Sequence, residues 1–183
     1  MADVAFIRSQ LTTHPDFPKK GIVFLDIFPL LRNPIAFETT ITNFLYHLTS
    51  HTIPRSTNGK VDVVVGLDAR GFLFGPIIAM RLGAAFVPVR KKGKLPGQTV
   101  SVTYEKEYGA DVFEMQADAV QKGQTVIVVD DLIATGGSAK AAGELIKQQG
   151  ASVLEYLFII ELTALKGSSH LDAPTYSIIQ SDD

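Results

Sequence analysis

Apolar residues follow two rhythms along the chain. Val61–Leu67 (VDVVVGL), Ala85–Arg90, Val126–Val129 and Val153–Leu162 (VLEYLFIIEL) are short, nearly unbroken runs rich in β-branched residues. They lack the alternation of a half-exposed strand and predict strands buried on both faces of a parallel sheet. Between them the spacing turns helical. Asn33-Pro34 reads as a helix cap and first turn, and Phe37, Ile41, Phe44, Leu45 and Leu48 then mark one face of an amphipathic helix to about Ser50. Phe72–Leu82 and Ala139–Gln149 predict two more helices, ended by Gly83 and Gly150. Val4–Leu11 predicts a short helix, and Gly21–Phe28 an extended segment after the turn chemistry of His14–Pro18. Lys94–Gly109 has the turn residues and alternation of a mobile hairpin, Asp111–Gln116 is its return strand, and Thr175–Ile179 is a last edge strand. Strands alternating with helices predict one α/β domain over residues 1–183, with a mainly parallel central sheet and helices on both faces.

Chemistry concentrates where Val126–Val129 ends. Asp130 and Asp131 follow at once, then the turn Ala134-Thr135-Gly136-Gly137-Ser138, then a helix. A glycine pair lets the backbone bring several N–H groups close to a ligand, and the start of a helix adds unpaired N–H groups and the positive end of its dipole. The stretch is an anion cradle with two carboxylates beside it, which suggests phosphate together with a sugar diol, a magnesium ion, or both. Asp68-Ala69-Arg70 ends Val61–Leu67 in the same way, so the two turns are expected to face one pocket, with the Arg70 fork suited to phosphate oxygens. The basic run Arg90-Lys91-Lys92-Gly93-Lys94 is open to three readings: a solvated face, a nucleic-acid patch, or a phosphate-binding segment. His47 and His51 lie four apart on the long helix, and with no third ligand nearby they read as surface histidines.

VVDDLIATGGS resembles the phosphoribosyl-diphosphate (PRPP) binding signature of the type I phosphoribosyltransferases. PDFP followed by GIVFLD, then RKKGKLPG and YEKEYG, resemble the adenine-specific members most closely. Oxopurine-specific relatives carry an aspartate where this chain has Ala134, and uracil-specific relatives usually lack the second acid, here Asp131. The resemblance runs from about Pro15 to Ile179. It implies transfer of the 5-phosphoribosyl group from PRPP to adenine, giving AMP and pyrophosphate, on the type I fold with a small amino-terminal hood contributed mainly by about residues 15–35.

By the same resemblance, Asp130 and Asp131 serve the ribose hydroxyls, and Ala134, Thr135, Gly136, Gly137 and Ser138 hold the 5′-phosphate. Asp68, Ala69, Arg70, Arg90, Lys91, Lys94 and Tyr108 serve the pyrophosphate, with a cis peptide between Asp68 and Ala69. Val23, Phe24, Leu25 and Leu162 border the adenine, and Glu107 exchanges a proton with its imidazole ring. Mg²⁺ arrives with PRPP, near Asp130 and Asp131, and the family commonly forms homodimers. Leu25, often charged in relatives, and Ala69, commonly serine, are departures.

Composition narrows the alternatives. A net charge of −2 indicates no general attraction to nucleic acid or to an anionic membrane, and the absence of cysteine excludes disulfides, thiolate metal sites and a cysteine nucleophile. The amino end carries Asp3 and Arg8 and does not read as a secretory signal. The longest apolar run, Phe72–Met80, is broken by Gly75 and Pro76 and is far shorter than the roughly 20 residues of a membrane span. A cytoplasmic enzyme fits. The competing readings are an oxopurine-specific enzyme on the same scaffold, and a non-catalytic PRPP-binding regulator.

Overall fold

The computed structural model describes residues 2–105 and 110–182. Glu107 and Tyr108 therefore lie outside the described residues. Helix α1 (Ala2–Ser9) leads into strands β1 (Thr12–Pro15) and β2 (Val23–Asp26), which pair antiparallel as a separate two-stranded sheet. Helix α2 (Phe28–Arg32) begins at Phe28, the last residue of the segment expected to be extended. Pro29 suits its first turn, and the Asp26 side chain accepts the Phe28 N–H at 2.9 Å. Helix α3 (Pro34–His47) starts at Asn33, whose side chain accepts the N–H groups of Ile35 and Ala36, then continues through a π-turn and a 3₁₀ turn to Arg55.

The remaining elements are β3 (Val63–Leu67), α4 (Gly71–Leu82), β4 (Ala85–Lys91), β5 (Thr99–Glu105), β6 (Ala110–Gln116), β7 (Thr125–Ile133), α5 (Gly137–Gln148), β8 (Ser152–Leu162) and β9 (Thr175–Ser181). Among the described residues they build a sheet in the order β5-β6-β4-β3-β7-β8-β9. β4, β3, β7, β8 and β9 are parallel, and β6 joins β4 and β5 antiparallel.

The unbroken apolar runs are explained by two cores. Val63, Val65, Val126, Val128, Tyr156 and Phe158 face α5, with Ala142, Leu145 and Ile146 packed on them. Val64, Ile127, Val129, Leu157 and Ile159 face the other way, toward Phe44 of α3 and Phe74 and Ile78 of α4. Alternate residues of one strand thus enter different cores, so no exposed face interrupts the run.

Two details position the cleft. After β3 the chain moves outward to β4, and after β7 it moves outward the other way to β8, so a crevice opens at the carboxyl ends of β3 and β7. Helix α4 also lies very close to the sheet: a Cβ on Gly71 would stand 2.5 Å from the Val129 carbonyl oxygen, and one on Gly75 2.5 Å from the Phe86 ring. That approach brings Arg70, just before α4, to the end of β7.

His47 corrects the surface reading of the histidine pair. Its Nε2 lies 2.9 Å from a carboxylate oxygen of the buried Glu155, which also accepts the Thr52 hydroxyl, and its ring stacks on Tyr176 at 3.7 Å. A partner more than a hundred residues away, on β8, draws this helix position inward.

Candidate active site

The crevice is a cleft of about 530 Å³. Its lining includes Asp68, Arg70, Lys91, Asp130, Asp131 and the whole turn from Ala134 to Ser138. The two strand-end turns therefore do face one pocket.

β7 is longer than Val126–Val129. Its pairing with β3 stops at Val129, but pairing with β8 continues through Asp130, Leu132 and Ile133. Asp130 and Asp131 thus belong to the strand, at the point where it outruns β3 and one edge is released into the crevice. Both side chains line the cleft, and strict alternation breaks here: Val126 and Val128 share one core with Ile133, and Ile127 and Val129 share the other with Leu132. Asp131 is buried and meets the Arg70 Nε at 2.6 Å; Asp130 accepts the backbone N–H of Asp131 at 2.9 Å. Burial, and next the neighbouring Asp131 carboxylate, push the Asp130 carboxyl well above the usual carboxylate range, while Arg70 pulls the other way.

The turn after β7 is shaped by a second, distant turn. Gly136 has φ of +81°, and α5 begins at Gly137, two residues earlier than expected. The first N–H groups of a helix have no intrahelical acceptor, so those after Gly136 are available to an anion. A Cβ on Gly136 would stand 2.5 Å from the Gly167 carbonyl oxygen. One on Gly167 would collide with the Ala134 carbonyl oxygen and stand 2.7 Å from the Gly136 nitrogen. The two turns lie backbone against backbone. Gly167 packs directly against the cleft turn, a contact that nothing local in the sequence reveals.

On the other wall, the Asp68–Ala69 peptide is cis. Asp68 accepts from Arg90 Nε at 2.8 Å, and Arg90 also donates to the Lys94 carbonyl oxygen at 3.2 Å. Arg90 is therefore occupied in tying β4 to the Asp68 turn. Lys91 lies 3.2 Å from Asp111 at the cleft edge, and Lys94 is exposed. Beneath this basic turn lies Glu114 of β6, 4 % exposed, whose Oε1 accepts the backbone N–H groups of Gly93, Lys94 and Leu95 at 3.0, 3.1 and 3.0 Å. Burial pushes its carboxyl up, but these N–H groups and the Thr99 hydroxyl outweigh it and hold it below the ordinary value.

Tyr104 and Phe113 line the cleft from the β5–β6 side; their rings are 4.8 Å apart, and Ser138 lies 3.5 Å from the Tyr104 hydroxyl. Val23, Phe24, Leu25, Leu162, Ala69, Arg90 and Lys94 are not part of the cleft lining. Val23 is exposed, and Leu25 and Leu162 pack on the core that holds α3 and α4.

Residues 38–180 match the family model described as phosphoribosyl transferase domain. The adenine phosphoribosyltransferase of Yarrowia lipolytica is 54% identical over 175 residues, covering 94% of this chain and 93% of that protein. That of Eremothecium gossypii is 52% identical over 174 residues, covering 95% of this chain and 91% of its own. Among solved structures, adenine phosphoribosyltransferase from Saccharomyces cerevisiae, complexed with an imino-altritol bisphosphate and adenine, superposes with a TM-score of 0.93 at 50% identity, covering 97% of this chain and 99% of its own.

Proposed function

The chain belongs to the phosphoribosyltransferases, in their adenine-specific branch, and from that premise we propose how its residues share the work. It transfers the 5-phosphoribosyl group of PRPP to adenine, giving AMP and pyrophosphate, a purine-salvage reaction. The observation that carries the assignment of residues is the meeting of two carboxylates, a helix-start cradle and Arg70 at one strand end.

In this reading the turn from Ala134 to Ser138 grips the 5′-phosphate through backbone N–H groups. Asp130 and Asp131 take the ribose hydroxyls, whose hydrogen bonds offset the burial and the carboxylate repulsion that raise Asp130. The diphosphate lies between Arg70, Lys91 and Lys94, beside the Asp68–Ala69 turn, while Arg90 braces that wall. The bond from C1′ to the diphosphate oxygen breaks, the adenine nitrogen bonds to C1′ from the opposite face, and its imidazole proton passes to Glu107. Tyr108 supports the departing pyrophosphate, and the hairpin excludes water from the exposed C1′. Val23, Phe24, Leu25 and Leu162 border the base, with residues 15–35 as the hood. Orientation and stabilisation of the leaving diphosphate supply most of the acceleration.

Among the described residues, no group of three or more His, Cys, Asp or Glu is placed to hold a metal. Two strand-end carboxylates fit Mg²⁺ only as a partner shared with substrate oxygens, the usual manner for this ion. Bound with PRPP, it neutralises diphosphate charge. Exposed Leu73 and Met80 on α4 support pairing with a second copy as a homodimer. No described helix is long and apolar enough to cross a membrane, and we place the enzyme in the cytoplasm.

The test supplies PRPP and Mg²⁺ with adenine, hypoxanthine or guanine in turn. AMP from adenine alone is expected. Product from an oxopurine would overturn the base assignment, and PRPP binding without any product would favour a regulator. Glu107→Gln should fold normally and lose most turnover; unchanged turnover removes Glu107 from the proton transfer.

A further inference from the structure

Glu114 is a buried carboxylate that the mechanism above does not use, and its hydrogen bonds come from one short stretch. Oε1 accepts three consecutive backbone N–H groups, those of Gly93, Lys94 and Leu95, and Oε2 accepts the Thr99 hydroxyl at 3.3 Å. Such a row of N–H groups around a turn is a ready anion site. Here it is filled from the sheet side by the protein's own carboxylate. The basic turn therefore cannot offer these amides to a diphosphate; it offers ammonium groups on a fixed backbone.

Two further braces act on the same turn. Arg90 holds the Lys94 carbonyl oxygen at 3.2 Å while its Nε holds Asp68 at 2.8 Å, and Gln116 donates to the Pro96 carbonyl oxygen at 3.2 Å. Four cations crowd into Arg90–Lys94, and like charges so close together favour a splayed turn unless something holds it. Glu114 stands opposite Arg90 in the β4–β6 ladder, directly beneath that crowd.

We propose that Glu114 is a positioning residue for diphosphate binding: its carboxylate pins the Gly93–Leu95 backbone so that Lys91 and Lys94 meet the diphosphate of PRPP. The inference rests on the phosphoribosyl-transfer reading above. It goes beyond that reading by assigning the geometry of the pyrophosphate wall to an acid that never touches substrate. The bonds are charge-assisted and shielded from water, so an acceptor of the same shape without the charge should hold the turn more weakly, and a methyl group should not hold it at all.

The experiment compares wild type, Glu114→Ala and Glu114→Gln in steady-state kinetics with PRPP and adenine, and measures inhibition by inorganic pyrophosphate and by AMP. For Glu114→Ala the KM for PRPP and the inhibition constant for pyrophosphate should both rise about tenfold or more, while the KM for adenine and the inhibition constant for AMP stay within about twofold. AMP has no diphosphate, so a general loss of structure would move it too. Glu114→Gln, which keeps a carbonyl acceptor, should recover most of the loss. Equal losses for pyrophosphate and AMP, or no change in either, would overturn the proposal. If Glu114→Ala does not fold, Thr99→Val decides: removing the Oε2 contact should weaken pyrophosphate about two- to threefold and leave AMP unchanged, and an unchanged pyrophosphate constant overturns it. Wild type that binds pyrophosphate but forms no AMP would break the transfer reading; direct pyrophosphate binding then decides the Glu114 assignment, which stands if Glu114→Ala weakens it about tenfold and falls if the dissociation constant is unchanged.

Discussion

The turn after β7 lines the cleft, and the turn after β4 follows directly on Lys91, which lines it too; each contains glycine at positive φ, yet in the reading proposed above they would meet anions by opposite means. The first keeps helix-start N–H groups available and owes its shape to close backbone packing against Gly167. The second has its N–H groups taken by Glu114 and presents long side chains instead. Backbone N–H groups set at fixed distances suit the group that stays bound throughout, the 5′-phosphate. Flexible ammonium groups suit the group that must loosen, be stabilised and leave.

The contrast makes unequal demands on glycine, and substitutions can break it. The largest effect is expected from Gly167→Ala, because its Cβ meets only backbone, which must move. Displacement of the phosphate turn should lower kcat/KM for PRPP about 100-fold, measured by initial rates, with the fold retained by circular dichroism. Lys94→Ala comes next. It should raise the PRPP KM and the pyrophosphate inhibition constant about tenfold, spare AMP, and flatten the salt dependence of PRPP binding. Gly93→Ala is the smallest functional change: φ is +82° but nothing lies within 4 Å of the new Cβ. Strain of about 1–2 kcal/mol should appear as a lower Tm while the PRPP KM moves little.

Asp130→Asn separates binding from stability. PRPP binding should weaken more than adenine binding, yet the free protein should melt at a higher temperature than wild type at pH 7. The sign follows from the raised carboxyl: ionising it in the folded state costs more than in the unfolded chain, so stability is lost as pH climbs above the ordinary carboxylate value. The advantage of the variant should vanish near about pH 4, where unfolded aspartate takes its proton. A variant no more stable than wild type at pH 7 would mean that Asp130 is not strained in the free protein.

What could be read from sequence was local. Strands buried in two cores announce themselves as unbroken runs, and Asp130-Asp131 with the glycine turn, near neighbours along the chain, do line one cleft with Asp68 and Arg70. The resemblance supplied Glu107 and Tyr108, which local chemistry leaves as ordinary loop residues, and the cis bond at Asp68–Ala69 is present in the fold. What escaped depends on distant partners. β7 runs on past Val129 because β8 continues to pair with it, and His47 turns inward because Glu155 waits on β8. Neither Gly167 nor Glu114 carries a periodicity or a neighbouring signal, since each works against a turn far along the chain.

The contact between Gly136 and Gly167 also sets an order of events during synthesis. The turn from Ala134 to Ser138 is made first, but the wall that holds it in shape is made only when the chain has grown past Gly167. Until then the turn has its glycines and its helix start without the surface that fixes their spacing. Chains grow at about 5–20 residues per second, so for some seconds a ribosome carries most of the sheet without a finished grip for nucleotide. A ligand that needs the fixed turn is therefore expected to stabilise chains grown past Gly167 more than shorter ones.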